Sequence, residues 1–186
     1  MSSSGLRPRA RGALMKHYRK LPASVAKQPV LLLLRNRPFI LLVVQQFVAL
    51  VASYSVTFAS MAKVVEATGS GLHAAFTVLS VVVPGLIFGL LGGVAVDRLS
   101  RRSLLIGTNL LRGLVALLAP LGMGALEVRQ LLLVVLAVNF LLSVIGQFNF
   151  PAEAALVPSL VATEQLLAAN SIFNVSYLAA IGIGGA

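Results

Sequence analysis

The chain contains no cysteine, no tryptophan and only five acidic residues among 186. The absence of cysteine excludes disulfide bonds and thiol chemistry, but it does not indicate a compartment. Charged residues of both signs make up 11% of the sequence and hydrophobic residues 58%, with a mean hydropathy of +0.95. A soluble domain of this size needs more charge to cover its surface. The composition therefore indicates an integral membrane protein, with membrane lipid as its immediate partner.

The fifteen basic residues are unevenly distributed along the chain. Nine of them precede the first long apolar run, and three more lie in the short loop 97–102. This asymmetry follows the sides of a membrane, because loops rich in Lys and Arg stay in the cytoplasm. We therefore expect a cytoplasmic amino terminus in the cell membrane (inner or plasma membrane), and no nucleic-acid partner despite the net charge of +10.

Five apolar runs are long enough to cross a bilayer as helices, which takes about 20 residues. They predict an all-α membrane protein, with an interfacial turn at 30–34 and Pro38 at a helix start. The segment 151–165 is interpreted as a return to the cytoplasm. The predicted helices are approximately 39–61, 73–96, 104–123, 130–150 and 166–186, the last still unfinished at Ala186.

Two parts of the chain differ in character. Residues 1–29 are predicted to be a basic cytoplasmic tail without a fixed fold, and residues 30–186 a transmembrane domain. The tail carries Arg and Ser but no acid, so an organellar transit peptide is the alternative interpretation.

Helix two carries glycines at a regular spacing. Gly85, Gly89 and Gly93 recur every four residues, and Asp97 continues the series. This spacing puts them on one helical face, where a neighbouring helix can come close. Either a fixed packing surface or a sliding interface fits this pattern.

The loop after helix two is the most informative stretch of the sequence. It begins at Gly93 and contains Asp97, Arg98, Arg101 and Arg102. This pattern resembles the cytoplasmic signature loop of major facilitator superfamily transporters, with Ser100 where that family usually has glycine. Further similarity to the drug, macrolide and siderophore exporter branch is found at residues 34–39, 150–161 and 167–171, so that the resemblance covers residues 31–186.

The resemblance implies two six-helix halves with the substrate held between them. This chain is then five helices of the amino-terminal six-helix half-bundle, and the missing carboxy-terminal half is a partner. The implied function is alternating-access efflux of a small lipophilic or amphipathic compound. The alternative is a non-transporting, exporter-derived subunit packed among other membrane subunits of a larger complex.

The resemblance also implies roles for particular residues. Gly93, Asp97, Arg98, Arg101 and Arg102 would form the gating loop. Glu153, at the predicted end of helix four, would be its acidic partner and form an ion pair with one of the loop arginines. Simple anchoring of the loop arginines on the cytoplasmic side is the other interpretation.

Helix one and helix five depart from the family pattern. Ser53 occupies the position where relatives often carry an acid, and Ala180 and Ile181 replace an expected Gly-Pro pair. Gly184 and Gly185 remain as packing glycines of helix five. With Glu153 assigned to a helix end, no carboxylate is expected inside a span, and no proton carrier is assigned.

Arg112 stands out because it is a charge in the middle of a predicted helix. It either lines a cavity or holds an anionic substrate, or it bonds to Asn109, Asn139 or helix carbonyls as a packing clamp. The polar residues of the spans are candidates for a transport pathway, although such residues also bond between helices. The candidates are Gln46, Tyr54, Arg112, Asn139, Gln147 and Asn174, together with Gln45, Asn170 and Tyr177.

No catalytic, metal or cofactor motif is recognisable. His17 and His73 are far apart and lack carboxylates at a ligand spacing, and Gly92-Gly93 lies in an apolar run without the Lys-Ser/Thr of a nucleotide loop. We therefore expect a protein that is not an enzyme and has no metal or cofactor.

Overall fold

The computed structural model describes residues 29–124 and 126–186, so the predicted tail lies outside it except for its last residue. Six α-helices and one 3-10 turn, at Thr163–Gln165, follow one another without a strand in these ranges. The helices are α1 (Pro29–Leu34), α2 (Arg37–Thr68), α3 (Gly71–Arg98), α4 (Arg101–Gly122), α5 (Val128–Leu160) and α6 (Leu166–Gly184).

The prediction of a multi-pass membrane protein is confirmed at the level of its helices. Five of the described helices, α2 to α6, are long and apolar enough to cross a membrane. Their outer surfaces carry large apolar side chains, such as Leu86 and Leu90, which are more than 80% exposed. In water such a surface would aggregate, whereas in a bilayer it contacts lipid.

Most helices extend beyond their predicted ends. The predictions stopped near the first charged residue or proline after each apolar run, whereas the helices continue past these residues. The longest extension without proline is at the end of α2, where Gly69 adopts a φ of 62° and donates its backbone N–H to the Val65 carbonyl. Glycine adopts this left-handed conformation without a steric penalty.

The most consequential difference concerns α5. The sequence predicted a helix end near residue 150 and a cytoplasmic segment after it, but α5 continues through Pro151 and Pro158 to Leu160. Each proline removes one helical hydrogen bond, a loss that packed membrane helices tolerate. Glu153 therefore lies inside a long helix. Likewise, the predicted turn at 30–34 is the short helix α1.

Two short side chains organise the helix starts. The Asn36 Oδ1 atom accepts a hydrogen bond from the Phe39 backbone N–H at 3.3 Å, which caps α2. Ser100 caps α4 in the same way through the Ser103 N–H at 3.1 Å. Ser100 has a φ of −67°, so the loop after α3 does not need glycine at this position.

Helix α5 is central to the bundle, since it packs most extensively against α3, then against α4 and α2, while α6 packs mainly on α2. Buried apolar side chains form two clusters at opposite ends of the helices. The first cluster includes Phe39, Leu105 and Ala152, and the second includes Val64 and Val135. Polar residues lie in the middle of the bundle, between the two clusters.

Helices α3 and α5 cross closely at Gly92. A Cβ atom on Gly92 would lie 1.9 Å from the Gln147 carbonyl oxygen. Pro151 has no N–H to bond this carbonyl, so the carbonyl is free to approach the α3 backbone. Such an approach favours a weak Cα–H···O contact between helices.

The glycines selected from the sequence have weaker contacts on α3 than Gly92 has. A Cβ on Gly85 or Gly89 would meet only the Gln147 side chain, at 3.7 and 3.8 Å, and one on Gly93 would meet nothing within 4 Å. On α6, a Cβ on Gly184 would lie 2.7 Å from the Tyr54 Cβ, and one on Gly185 would lie 3.0 Å from the Phe58 ring. The tightest crossing of α3 is therefore one residue away from the predicted series.

The neighbouring glycines 92 and 93 provide a matched stability test. We expect Gly92→Ala to lower the melting temperature of the purified protein strongly, because the backbones of α3 and α5 must separate. Gly93→Ala should leave it unchanged or raise it, since the new methyl group enters open space and alanine favours a helix by up to ~1 kcal/mol. The melting temperatures are measured in detergent by differential scanning fluorimetry. Equal melting temperatures for the two variants would contradict the close crossing.

Candidate functional site

A cavity of about 970 Å³ lies between the helices, and all five long helices contribute to its wall. Apolar and aromatic side chains alternate with amides and hydroxyls along this wall. Its polar lining consists of Gln46, Ser53, Tyr54, Thr57, Arg112, Asn139, Ser143, Gln147, Asn149, Glu153, Asn170, Asn174 and Tyr177.

The structure brings together eight of the nine residues that were named from the sequence as pathway candidates, and Gln45 is the exception. Those that line the same cavity come from α2, α4, α5 and α6, and they are Gln46, Tyr54, Arg112, Asn139, Gln147, Asn170, Asn174 and Tyr177. Their shared location shows that they face one internal space. That a substrate passes through this space stays a prediction.

Arg112 is buried in the wall of the cavity with 5% of its surface exposed. Its Nε atom has no hydrogen-bond partner, and no described residue forms a hydrogen bond or an ion pair with its guanidinium group. The guanidinium lies next to Gly146, where a Cβ atom would be in ordinary van der Waals contact with one of its nitrogens at 3.5 Å. A buried cation without a partner is energetically costly.

The proposed clamp partners Asn109 and Asn139 do not bond to Arg112, because their Oδ1 atoms, which could accept from a guanidinium, have no hydrogen-bond partner in the described part of the chain. The Asn109 amide donates to the Leu105 carbonyl at 2.8 Å. The Asn139 amide donates to the Ser60 hydroxyl and to the Val135 carbonyl, both at 2.9 Å. The clamp through these two asparagines is therefore not formed.

Glu153 also faces the cavity and is 3% exposed. One of its carboxylate oxygens accepts a hydrogen bond from the Gln45 amide at 3.0 Å. It interacts electrostatically with Arg112, but the two form no ion pair within 4.0 Å in the described structure. The cavity thus contains one cation and one carboxylate that are not in direct contact.

The predicted ion pair between Glu153 and the signature loop is absent from the described residues. Arg101 instead donates to the Ala155 carbonyl at 2.7 Å, while Asp97, Arg98 and Arg102 are exposed. The reason is the continuation of α5 beyond Pro151. Because α5 continues, the Glu153 side chain points into the bundle, towards Gln45 on α2. The Arg101 guanidinium bonds instead to the backbone carbonyl of Ala155 on α5.

Hydrogen bonds between helices hold the wall of the cavity together. The hydroxyl groups of Tyr54 and Tyr177 are 2.9 Å apart and join α2 to α6, with the rings edge to face at 6.2 Å. The Ser143 hydroxyl donates to the Val81 carbonyl at 2.5 Å and joins α5 to α3. The Asn149 amide donates to the Thr108 hydroxyl at 2.9 Å and joins α5 to α4.

Sequence analysis missed three polar residues of this wall, Thr57, Ser143 and Asn149. A signal for Ser143 was present, since Asn139, Ser143 and Gln147 recur every four residues and share a helical face. Thr57 follows Ser53 at the same spacing on α2. Asn149 lies off this series but four residues before Glu153, a relation that the predicted helix end near residue 150 concealed.

Three cavity residues have a buried polar atom without a hydrogen-bond partner, namely Gln46 Oε1, Arg112 Nε and Asn139 Oδ1. Buried polar atoms in proteins are normally satisfied, either by protein or by bound molecules. Two acceptor atoms and one donor atom of the wall are therefore available to bond a polar ligand or water. Among the described residues, no group of three His, Asp or Glu side chains is placed to hold a metal ion.

The fold and the cavity define an all-helical, membrane-embedded, multi-pass protein with a polar internal site. Comparison with protein-family models, curated proteins and solved structures finds no match to the chain. The relation to major facilitator transporters therefore depends on the sequence motifs described above.

Replacing Arg112 distinguishes a ligand-binding cation from a packing clamp. We expect Arg112→Met to leave the melting temperature of the ligand-free protein unchanged or raised, because it removes a buried charge and breaks no hydrogen bond to a described residue. Asn149→Leu, which breaks the bond to Thr108, should destabilise the protein by about 1 kcal/mol. Both are measured by thermal unfolding in the same detergent. A decrease in melting temperature for Arg112→Met as large as that for Asn149→Leu would favour the packing clamp.

Proposed function

We propose that this chain is the amino-terminal part of a secondary active transporter of the major facilitator type. It exports a small lipophilic or amphipathic compound across the cell membrane by alternating access. The observation that carries this proposal is the polar cavity between the five long helices, with the unpartnered Arg112 in its wall.

The size and chemistry of the cavity support a binding site for a small molecule. Sites for drug-sized ligands have volumes of roughly 300–1,000 Å³ and combine apolar walls with a few polar groups. The cavity of about 970 Å³ fits this description, since Leu50, Leu142 and Phe173 lie beside the amides. In the proposed assembly the carboxy-terminal half supplies the facing wall.

The loop between α3 and α4 supports a gating role through its exposed charges. Asp97, Arg98 and Arg102 make no hydrogen bond or ion pair with a described residue, whereas Arg101 is bonded to the Ala155 carbonyl. We propose that the three free charges contact the other half of the transporter when the cytoplasmic side is closed. Arg101 then ties the loop to α5 throughout the cycle.

A pair of substitutions on α6 tests transport. Asn174 lines the cavity, and Leu178 lies one turn further along with 66% of its surface exposed to lipid. We expect Asn174→Phe to fill the cavity and reduce export at least roughly tenfold, as overpacking a site typically costs 1–3 kcal/mol. Leu178→Phe should retain export, because its ring enters lipid.

The measurement is the protein-dependent decrease in cellular accumulation of a panel of amphipathic fluorescent compounds, using the whole protein as the cell makes it. Membrane levels of both variants are quantified in parallel. Full export by Asn174→Phe would contradict the cavity as the pathway. Absence of export for every compound, with a stoichiometric complex recovered in mild detergent, would favour the non-transporting subunit.

The proposed orientation can be tested by labelling single introduced cysteines, because the chain has no cysteine of its own. Leu99 and Leu126 are exposed and lie before and after α4, at its two ends. In intact cells, a membrane-impermeant maleimide should label Leu126→Cys and not Leu99→Cys, and permeabilised cells should label both. The reverse pattern in intact cells would contradict a cytoplasmic amino terminus.

A further inference from the structure

We infer that Arg112 binds the anionic group of an amphipathic organic monoanion, such as a carboxylate or sulfonate with an apolar body. This inference rests on the proposed function, because it assigns a substrate class to the same cavity. It goes further, because the resemblance to exporters does not specify the charge of the substrate.

The first argument is that the Arg112 guanidinium is buried and lacks a hydrogen-bond partner among the described residues. Arg112 is 5% exposed, faces the cavity and has a free Nε donor. A guanidinium offers donors in a planar fork that matches the two oxygens of a carboxylate or sulfonate. The Arg112 guanidinium is therefore a desolvated group that can bind an anion and is not bonded to any described residue.

The second argument is the space in front of that group. Gly146, on the facing helix α5, lines the cavity next to the guanidinium, and a Cβ atom there would lie 3.5 Å from one of its nitrogens. Phe150, Phe173 and Leu142 line the same cavity and provide apolar surface for the body of a ligand. The site thus combines one cationic group with apolar surface in a wall that also carries amides and hydroxyls, and an amphipathic acid is complementary to this combination.

The third argument limits the ligand to one negative charge. Glu153 lies in the same cavity, and apart from Arg112 and Glu153 no Lys, Arg, Asp or Glu of residues 29–124 and 126–186 lines it. A second anionic group on the ligand would find no second cation among the described lining residues and would be repelled by Glu153. Glu153 is itself held by Gln45, so it does not already serve as the direct partner of Arg112.

A matched series of probes tests the charge preference. The probes are 2-naphthoate, its neutral methyl ester and 2-naphthylmethylammonium, which share one aromatic body and differ in charge. Binding to the purified whole protein in detergent is measured by isothermal titration calorimetry, with detergent alone as the blank. We expect 2-naphthoate to bind at least about tenfold more tightly than the other two.

Substitutions assign that preference to Arg112. Arg112→Gln should weaken 2-naphthoate binding by roughly 10- to 100-fold, because the charge-assisted hydrogen bonds are lost. Arg112→Lys should restore part of the affinity, since it keeps the charge without the fork. Arg129→Gln, which removes an exposed cation outside the cavity, should bind as the unaltered protein does. Glu153→Gln should tighten binding by removing a nearby negative charge.

The outcomes separate this inference from the transport proposal. Equal binding of all three probes, or 2-naphthoate binding unchanged in Arg112→Gln, overturns the anion site while leaving the Asn174 test of transport in force. Preferred binding of the ammonium probe that is lost in Glu153→Gln also overturns it, in favour of a cation site. An Arg112-dependent preference for 2-naphthoate supports the anion site even if the accumulation assay detects no export.

Discussion

The contact of the Gln147 carbonyl with Gly92 is the constraint on which the arrangement of the bundle depends. Three residues create it together: Pro151 leaves the carbonyl without its helical donor, Gln147 supplies it, and Gly92 lets the α3 backbone approach. The crossing fixes α3 against α5, the helix that also packs on α2 and α4. The positions of the polar residues on α5 relative to the other walls follow from that crossing.

The bundle is organised as an apolar cluster at each end with polar residues between them. The end clusters supply dense packing, so the middle can contain a cavity without loss of the fold. Within the middle, some polar groups join helices, as the Tyr54 and Tyr177 hydroxyls do, and others have no partner. This division separates groups that hold the wall together from groups that are available to a ligand. Arg112 belongs to the second set.

The helices and much of the site could be predicted from the sequence, because both follow from local hydropathy. Five apolar runs predicted five spans, and polar residues in apolar spans turn towards an interior, as Gln46 and Asn139 do. The continuation of α5 past Pro151 was not predictable, since proline ends helices in water and tolerance of it depends on tertiary packing. For the same reason the environment of Glu153 was misjudged. Gly92 was missed because a periodic series drew attention to its neighbour Gly93.

The side chain of Asn36 restricts how α2 and α5 can move relative to each other. Its oxygen caps α2, and its amide donates to the Leu160 carbonyl at the far end of α5, at 2.6 Å. The start of one helix and the end of another are thus joined through a single planar group. The two helices cannot part at this end without uncapping α2 and exposing a terminal carbonyl of α5. In a conformational cycle they would therefore move together. Since the Gly92 crossing and the Arg101 bond also hold α3 and the start of α4 against α5, an opening at this end would have to form on the side of α6.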